Sequence, residues 1–243
     1  MIPKWHLQEY QQALYLQTLF RLAGIDCVFD VGANVGQYRD FLRDQVGYAG
    51  HIVSFVPLPG LAHAMRIRAK ADSRWTVREV VLGRASGSAS FNVPDATQFS
   101  SFLEPKSDFD VMFERNRSVR SINVPVETLD REFNTLRSVL GFTTPCLKLD
   151  TQGFDLEVVA GGAELIGEFA AVQTEASVRV LYEGMSQSVQ TIAAITASGF
   201  EVSAIFPNNP AHVPELFEFD CHFVASKRIE ELRQRHRKKP VWR

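Results

Sequence analysis

The order of apolar runs and helical repeats predicts an α/β protein built on a mainly parallel sheet with helices on both faces. Three observations carry that prediction. Strand-like runs alternate with segments of helical spacing from Cys27 to Ala197, the pattern of consecutive βα units. The first run, Cys27-Val28-Phe29-Asp30-Val31, leads straight into a glycine-bearing turn, Gly32-Ala33-Asn34-Val35-Gly36. The last two runs, Phe200–Phe206 and Phe219–Ala225, are joined by the Pro- and Asn-rich stretch Pro207–Pro214 with no helix between them. That pair reads as a β-hairpin at one edge of the sheet.

Taken in order, Trp5–Ala23 places Leu7, Tyr10, Leu14, Leu16, Leu19, Phe20 and Ala23 near helical spacing, and Gly24 supplies a stop. This is an N-terminal helical cap over residues 1–24. Cys27–Val31 is the first strand and Gln37–Asp44 a short helix. His51–Val56 is the second strand, closed by Pro57-Leu58-Pro59-Gly60, and Leu61–Ala71 is helical. Trp75–Leu82 reads as a third strand, with Gly83 and Gly87 around the turn that follows. Ser88–Val93 adds a short extra strand, and Pro94–Asn116 reads as loop, with the patch Gln98-Phe99-Ser100-Ser101-Phe102 inside it. Ile122–Val126 returns as a strand before a helix within Glu127–Leu140. Cys146–Asp150 is a buried strand ending on an acid, followed by a helix from Phe154 to Ile166. Ala170–Thr174 is a strand ending on Glu175, and Ser188–Ala197 is a helix stopped by Gly199. No repeat or linker divides residues 25–226, so they read as one domain.

Composition narrows the class. With 243 residues and 45% hydrophobic content the chain can bury a sizeable core. The net charge of −2 argues against a nucleic-acid binder. The charge is uneven: residues 227–243 carry eight Lys or Arg against two Glu, a net of +6, which leaves −8 for the rest. This basic tail reads as a solvated helix. Cys27, Cys146 and Cys221 sit in apolar runs and form no C-x-x-C pair, so buried thiols in a reducing, cytoplasmic setting are expected. No signal-peptide pattern or membrane span is read from the sequence.

The chemistry is expected beyond the carboxyl ends of the strands. Asp30, Asp150 and Glu175 all end strands there. Gly32 and Gly36 permit positive φ and close backbone approach, and the amides beyond them lie where a helix N-terminus would face an anion. A carboxylate at Asp30 would repel a diphosphate, so a zwitterionic, cationic ligand such as S-adenosylmethionine suits the turn better. The absence of G-x-G-x-x-G spacing, and of an acid closing the second strand, argues against a nicotinamide cofactor. Alternation puts Lys148 and Asp150 on one side of their strand, as an ion pair or as part of the chemistry. With no dense carboxylate cluster, no metal site is expected.

Several dispersed segments, in order, resemble one family. They are Phe29-Asp30-Val31-Gly32-Ala33-Asn34-Val35-Gly36-Gln37-Tyr38, Phe55-Val56-Pro57, Val124-Pro125-Val126-Glu127-Thr128-Leu129-Asp130 and Leu147–Ala163. Gln173-Thr174-Glu175, Leu181-Tyr182-Glu183-Gly184 and Asp220-Cys221-His222-Phe223-Val224 complete the set. Together they resemble the FkbM-type S-adenosylmethionine-dependent methyltransferases. The resemblance implies a Rossmann-like seven-stranded, mostly parallel sheet with an antiparallel last strand. It implies O-methylation of a hydroxyl on a sugar or secondary metabolite, with a small-molecule or glycan acceptor. By resemblance, Asp30, Gly32, Ala33, Asn34 and Gly36 line the methionine part of the cofactor, and Leu82 by Gly83 packs near adenine. Asp150 lies beside the transferred methyl, and Asp150, Glu175 or His222 takes the hydroxyl proton. The oligomeric state stays open, with a homodimer as one reading.

One position departs from the family. Where the family has an acid before proline to take the ribose hydroxyls, this chain has Val56 before Pro57. Losing that acceptor costs about 1–3 kcal/mol of binding, or roughly tenfold in affinity and more. A second reading therefore stands beside the first: a weakened or inactive methyltransferase fold serving as a binding or scaffold protein.

Overall fold

The computed structural model describes residues 6–93, 120–179, 184–208 and 214–238. The expected loop over 94–116, with its Gln98–Phe102 patch, and part of the 207–214 connection lie outside them. Helix α1 (His6–Ala23) precedes β1 (Cys27–Val31), α2 (Gln37–Phe41), β2 (His51–Phe55), α3 (Pro59–Ala69) and β3 (Trp75–Arg78). Then come β4 (Val81–Leu82), β5 (Gly87–Val93), β6 (Arg120–Glu127), α4 (Leu129–Leu140), β7 (Pro145–Leu149) and α5 (Asp155–Ala160). The chain continues through β8 (Ala171–Ser177), α6 (Ser188–Ala197), β9 (Phe200–Pro207), β10 (Glu218–Ala225) and α7 (Ile229–Lys238).

Seven of these strands form one sheet in the order β3-β2-β1-β7-β8-β10-β9. Every pair is parallel except the two made by β10, which runs antiparallel to both β8 and β9. This is the Rossmann-like sheet with an antiparallel last strand that the resemblance implied. The β9–β10 hairpin does lie at one edge, with β9 outermost. His222 is therefore on an interior strand.

The sheet separates two apolar layers. On one face Phe29, Val31, Phe55, Leu147, Leu149 and Val172 pack against α4, α5 and α6 through Phe133, Leu136, Val158 and Ile195. Phe29 is its centre, with ring centroids of Phe55, Phe142 and Phe169 within 5.6 Å. On the other face Val28, Ile52, Cys146, Ala171 and Val224 pack against α1, α2, α3 and α7 through Leu16, Phe20, Tyr38, Met65 and Leu232. A run such as Cys-Val-Phe-Asp-Val is buried on both sides, as parallel strands are.

Three expected elements differ. The predicted third strand, Trp75–Leu82, breaks at Glu79 and Val80: Glu79 is drawn to Arg66 at 2.6 Å, and Val80 turns into the core. Its second half, β4, joins a separate three-stranded sheet of order β4-β6-β5, so the Ser88–Val93 and Ile122–Val126 strands lie outside the main sheet. The helix expected over Phe154–Ile166 stops at Ala160. The Gly161 carbonyl accepts from the Asp130 N–H, and the Asp130 carboxylate accepts the N–H groups of Glu164 and Leu165, holding a turn there instead. Glu175 sits inside β8, which continues to Ser177 because β10 pairs with it there.

Candidate functional site

The strand order reverses between β1 and β7, and in an open α/β sheet the ligand crevice lies beyond the carboxyl ends at that point. Two turns meet there. Gly32 has φ +86°, and a Cβ on it would lie 1.8 Å from the Asp150 carbonyl oxygen. The glycine is thus required by the packing of one turn on the other. Ala33 donates its N–H to the Phe55 carbonyl at 3.0 Å, tying the turn to β2 as well. Gly36, at φ +87°, would meet the Trp75 ring with any side chain. The Val35 N–H is taken by the Gln37 side chain at 3.2 Å.

Below the turns, one face of the sheet changes character along its strands. Its amino half is apolar; its carboxyl half carries Ser54, Asp30, Lys148, Gln173, Glu175, His222 and Asp220 on neighbouring strands. Trp75 Nε1 donates to Ser54 Oγ at 3.1 Å, and Ser54 Oγ donates to Asp30 Oδ2 at 3.1 Å. The Lys148 ammonium lies 3.3 Å from Asp30 Oδ1 and 3.1 Å from Asp150 Oδ2. The Asp30 contact is an ion pair, and no well-aligned hydrogen bond reaches its Oδ1. Tyr38 covers Lys148 with its ring and donates its hydroxyl to Gln173 Oε1 at 2.6 Å. Gln173 Nε2 passes the network to Asp220 Oδ1 at 3.2 Å.

Lys148 sets the charges. Burial alone would discharge it, but Asp150 and Asp30 outweigh burial and raise its pKa. Burial would likewise raise Asp150, yet the Lys148 charge holds that carboxyl below its ordinary range. Asp30 is fully enclosed and its pKa is raised by burial in spite of Lys148. The remaining acids have no ion pair among the described residues. Burial, then the Asp150 charge, lifts Glu175 well above the carboxylate range. Burial with Asp150 and Asp220 lifts Glu218 to about 7, and burial lifts Asp220 to about 6.

The structure brings Asp30, Gly32, Ala33, Asn34, Asp150 and Glu175 together. His222 does not join them. It is 1% exposed, lies beneath α1 against the rings of Tyr15 and Phe206, and approaches Gln12 Nε2 at 3.1 Å. Burial drives its pKa down to about 3, so it is neutral. Val56 is 2% exposed within the apolar layer that includes Ala62 and Met65. Leu82 is buried on β4, and a Cβ on the adjoining Gly83 would meet the Phe154 ring, so that corner is apolar. Ser54, Asn208 and Glu218 received no role from the sequence, and Tyr38, Gln152, Gln173 and Asp220 stood in the matching segments without one. Period-two spacing from Gln173 to Glu175 and from Glu218 to Asp220 was the available signal. Among the described residues, no group of three or more His, Cys, Asp or Glu is arranged to hold a metal ion, and no helix is long and apolar enough to cross a membrane.

A sheet of this order, with a glycine turn packed on an acidic strand end at the switch point, defines a Rossmann-like methyltransferase fold. Within that class the methyltransferase FkbM domain matches residues 30–202, and the chain belongs to that family. No curated protein matches it. Among solved structures it is similar to magnesium protoporphyrin IX methyltransferase of Synechocystis PCC 6803 with bound SAM, at 9% identity and TM-score 0.49, over 90% of this chain and 81% of that one. It is also similar to a putative O-methyltransferase from Klebsiella pneumoniae, at 11% identity and TM-score 0.45, covering 88% and 80% of the two chains. Fibrillarin of Aeropyrum pernix with natively bound S-adenosyl-L-methionine matches at 12% identity and TM-score 0.43, over 82% of this chain and 66% of that one. The chain thus spans about two thirds of the fibrillarin and about four fifths of the other two.

Proposed function

We propose that the chain transfers a methyl group from S-adenosylmethionine to a hydroxyl on a sugar or other small molecule, in a reducing, cytoplasmic setting that its three buried free thiols favour. One observation carries the reading: the switch-point cluster in which Asp30 and Asp150 pair with the ammonium of Lys148 while Glu175, Asp220 and Glu218 line the rim beside them. Burial first, and then repulsion from Asp150 and neighbouring acids, lifts the pKa of Glu175, Glu218 and Asp220. A ligand bearing a sulfonium and an ammonium relieves that repulsion, and a diphosphate adds to it. The residues therefore fit the cofactor at its methionine end, with Gly32–Gly36 providing the turn, and at its adenine end, with Leu82 and Gly83 providing an apolar corner. Asp30 is enclosed, so its charge acts through Lys148 and not by contact.

When bound, the cofactor supplies a methyl on a sulfur that is already a good leaving group. The chain then has to align the acceptor oxygen and receive one proton. Asp150 suits the role of proton acceptor, being ionised, partly exposed and placed directly after β7. The acceptor O–H proton passes to an Asp150 oxygen as the hydroxyl oxygen takes the methyl. Lys148 keeps Asp150 charged for this step. His222, neutral and enclosed, is left to support the sheet.

Titration of the purified chain with S-adenosylhomocysteine tests the reading. Binding is expected, and no heat or shift at millimolar ligand would sink it. Val56 favours the second reading, of a fold kept for binding alone, since a buried valine cannot take ribose hydroxyls. Val56→Glu is expected to tighten S-adenosylhomocysteine about tenfold while lowering the stability of the free protein. An unchanged affinity would mean that other groups hold the ribose.

A further inference from the structure

The turn after β7 holds a side-chain-bearing residue in an uncommon backbone conformation. Gln152 has φ +51°, and Asn34 is the other non-glycine residue with positive φ among the described residues. A residue with a Cβ reaches this region at a cost of about 1–2 kcal/mol, and such strain gathers at functional sites. The two strained residues occupy the adjoining turns at the switch point. Gln152 uses its conformation to aim its carboxamide between two acids. Its Nε2 lies 3.1 Å from Asp150 Oδ1 and 3.2 Å from Glu175 Oε2. Asp150, held ionised by Lys148, can only accept, so the amide nitrogen and not its oxygen faces it. The outer sides of the pair are also held: Lys148 Nζ is on Asp150 Oδ2 at 3.1 Å, and Asn208 Nδ2 donates to Glu175 Oε1 at 2.6 Å.

We infer that Gln152 is a positioning residue that clamps Asp150 and Glu175 into a dyad holding one proton, with Asp150 the ionised member and Glu175 the protonated one. The inference rests on the methyl-transfer reading only for its purpose, which is to present Asp150 as the proton acceptor. In transfer, the acceptor O–H proton goes to Asp150 and the Glu175 proton stays in place. The charged and titratable groups around the pair agree with this division. Lys148, which also holds Asp30 and lies beneath the Tyr38 ring, stands on the Asp150 side. Glu218 and Asp220 of β10 stand on the Glu175 side and disfavour a charge there. Asp155 accepts from the Thr151 N–H and hydroxyl and from Thr174, so it turns away from the pair.

Carbon-13 carboxyl NMR of the unliganded protein, titrated with pH, tests the dyad. The Asp150 and Glu175 carboxyl signals are assigned with Asp150→Asn and Glu175→Gln, which tells them apart from those of Glu218 and Asp220. Two well-separated midpoints are expected for them, and the Asp150 signal loses its upper step in Glu175→Gln. Should the upper step persist in the Asp150 signal of that variant, it reports another acid and the dyad is wrong. Gln152→Gly removes the amide and relieves the backbone; Gln152→Met removes the amide and keeps the bulk. Both are expected to narrow the separation by at least one pH unit, about tenfold in relative proton affinity. An unchanged separation in Gln152→Gly overturns the role, because neither the amide nor the strained turn would then be holding the pair. S-adenosylhomocysteine binding by the same samples keeps the two ideas apart. Narrowing without binding supports the dyad and removes methyl transfer; binding with unchanged separation does the reverse.

Discussion

Lys148 is the residue whose removal reaches furthest. It stands between Asp30, with no exposure, and Asp150, so Lys148→Met strands a carboxylate that water cannot reach. Breaking a buried pair from one side costs about 3–5 kcal/mol. Urea denaturation should register that loss, and adding Asp30→Asn to the Lys148→Met protein should recover part of it. A further loss on adding Asp30→Asn would mean that the carboxylate is held by Ser54 alone. His222 gives a pH-dependent counterpart. Its folded pKa is lowered to about 3 by burial, so the unfolded chain binds a proton first as pH falls. Its contribution is complete above its ordinary value near 6.5 and is lost on acidification towards 3, by up to about 1.4 kcal/mol per pH unit. His222→Gln should flatten that limb of the stability profile; an identical acid limb in the variant would assign it to other groups. Asp220 and Glu218 act oppositely, since their raised pKa values make the folded state bind protons first as pH falls from 7.

At the level of elements, α1 is fastened at two places. In its first half Gln12 donates to Asp220 Oδ2 at 3.0 Å, which ties the helix to the acidic rim. At its end the Ala23 and Leu22 carbonyls, which a helix leaves without partners, accept from Arg228 at 2.8 Å and Arg235 at 2.9 Å. Part of the basic tail therefore caps a helix C-terminus and favours its dipole. Replacing both arginines by alanine should cost about 1–2 kcal/mol in all and speed amide exchange in the last turn of α1 while β7 stays protected. Equal protection in both proteins would show the tail to be merely solvated. The N-terminal helix was legible from its apolar spacing, and so were β1, α6 and the β9–β10 pair. The break in β3, the early end of α5 and the extension of β8 were not. Each depends on a partner distant in sequence: Arg66 for Glu79, Asp130 for the turn after Ala160, and β10 for Glu175.

For the whole molecule, the acids at the strand ends could be read locally, while the polar row beneath them could not. Ser54, Gln173 and Asp220 look like ordinary strand residues until register sets them beside Asp30, Lys148 and Glu175. Ligand linkage is the global test of that row. S-adenosylhomocysteine at a hundredfold excess over its Kd should stabilise the fold by about 2.7 kcal/mol, seen as a higher denaturation midpoint with an unchanged urea slope. No midpoint change at such an excess would contradict binding at the folded site.

The place of β10 has a further consequence for how the chain leaves the ribosome. β9 is synthesised before β10, yet it touches the main sheet only through β10, which slots between β8 and β9. Until residues 218–225 emerge, β8 keeps an open edge and β9 has nothing to pair with. Asp220 and Glu218 arrive on that same strand, so the sheet closes and the acidic rim acquires its last members in one late event.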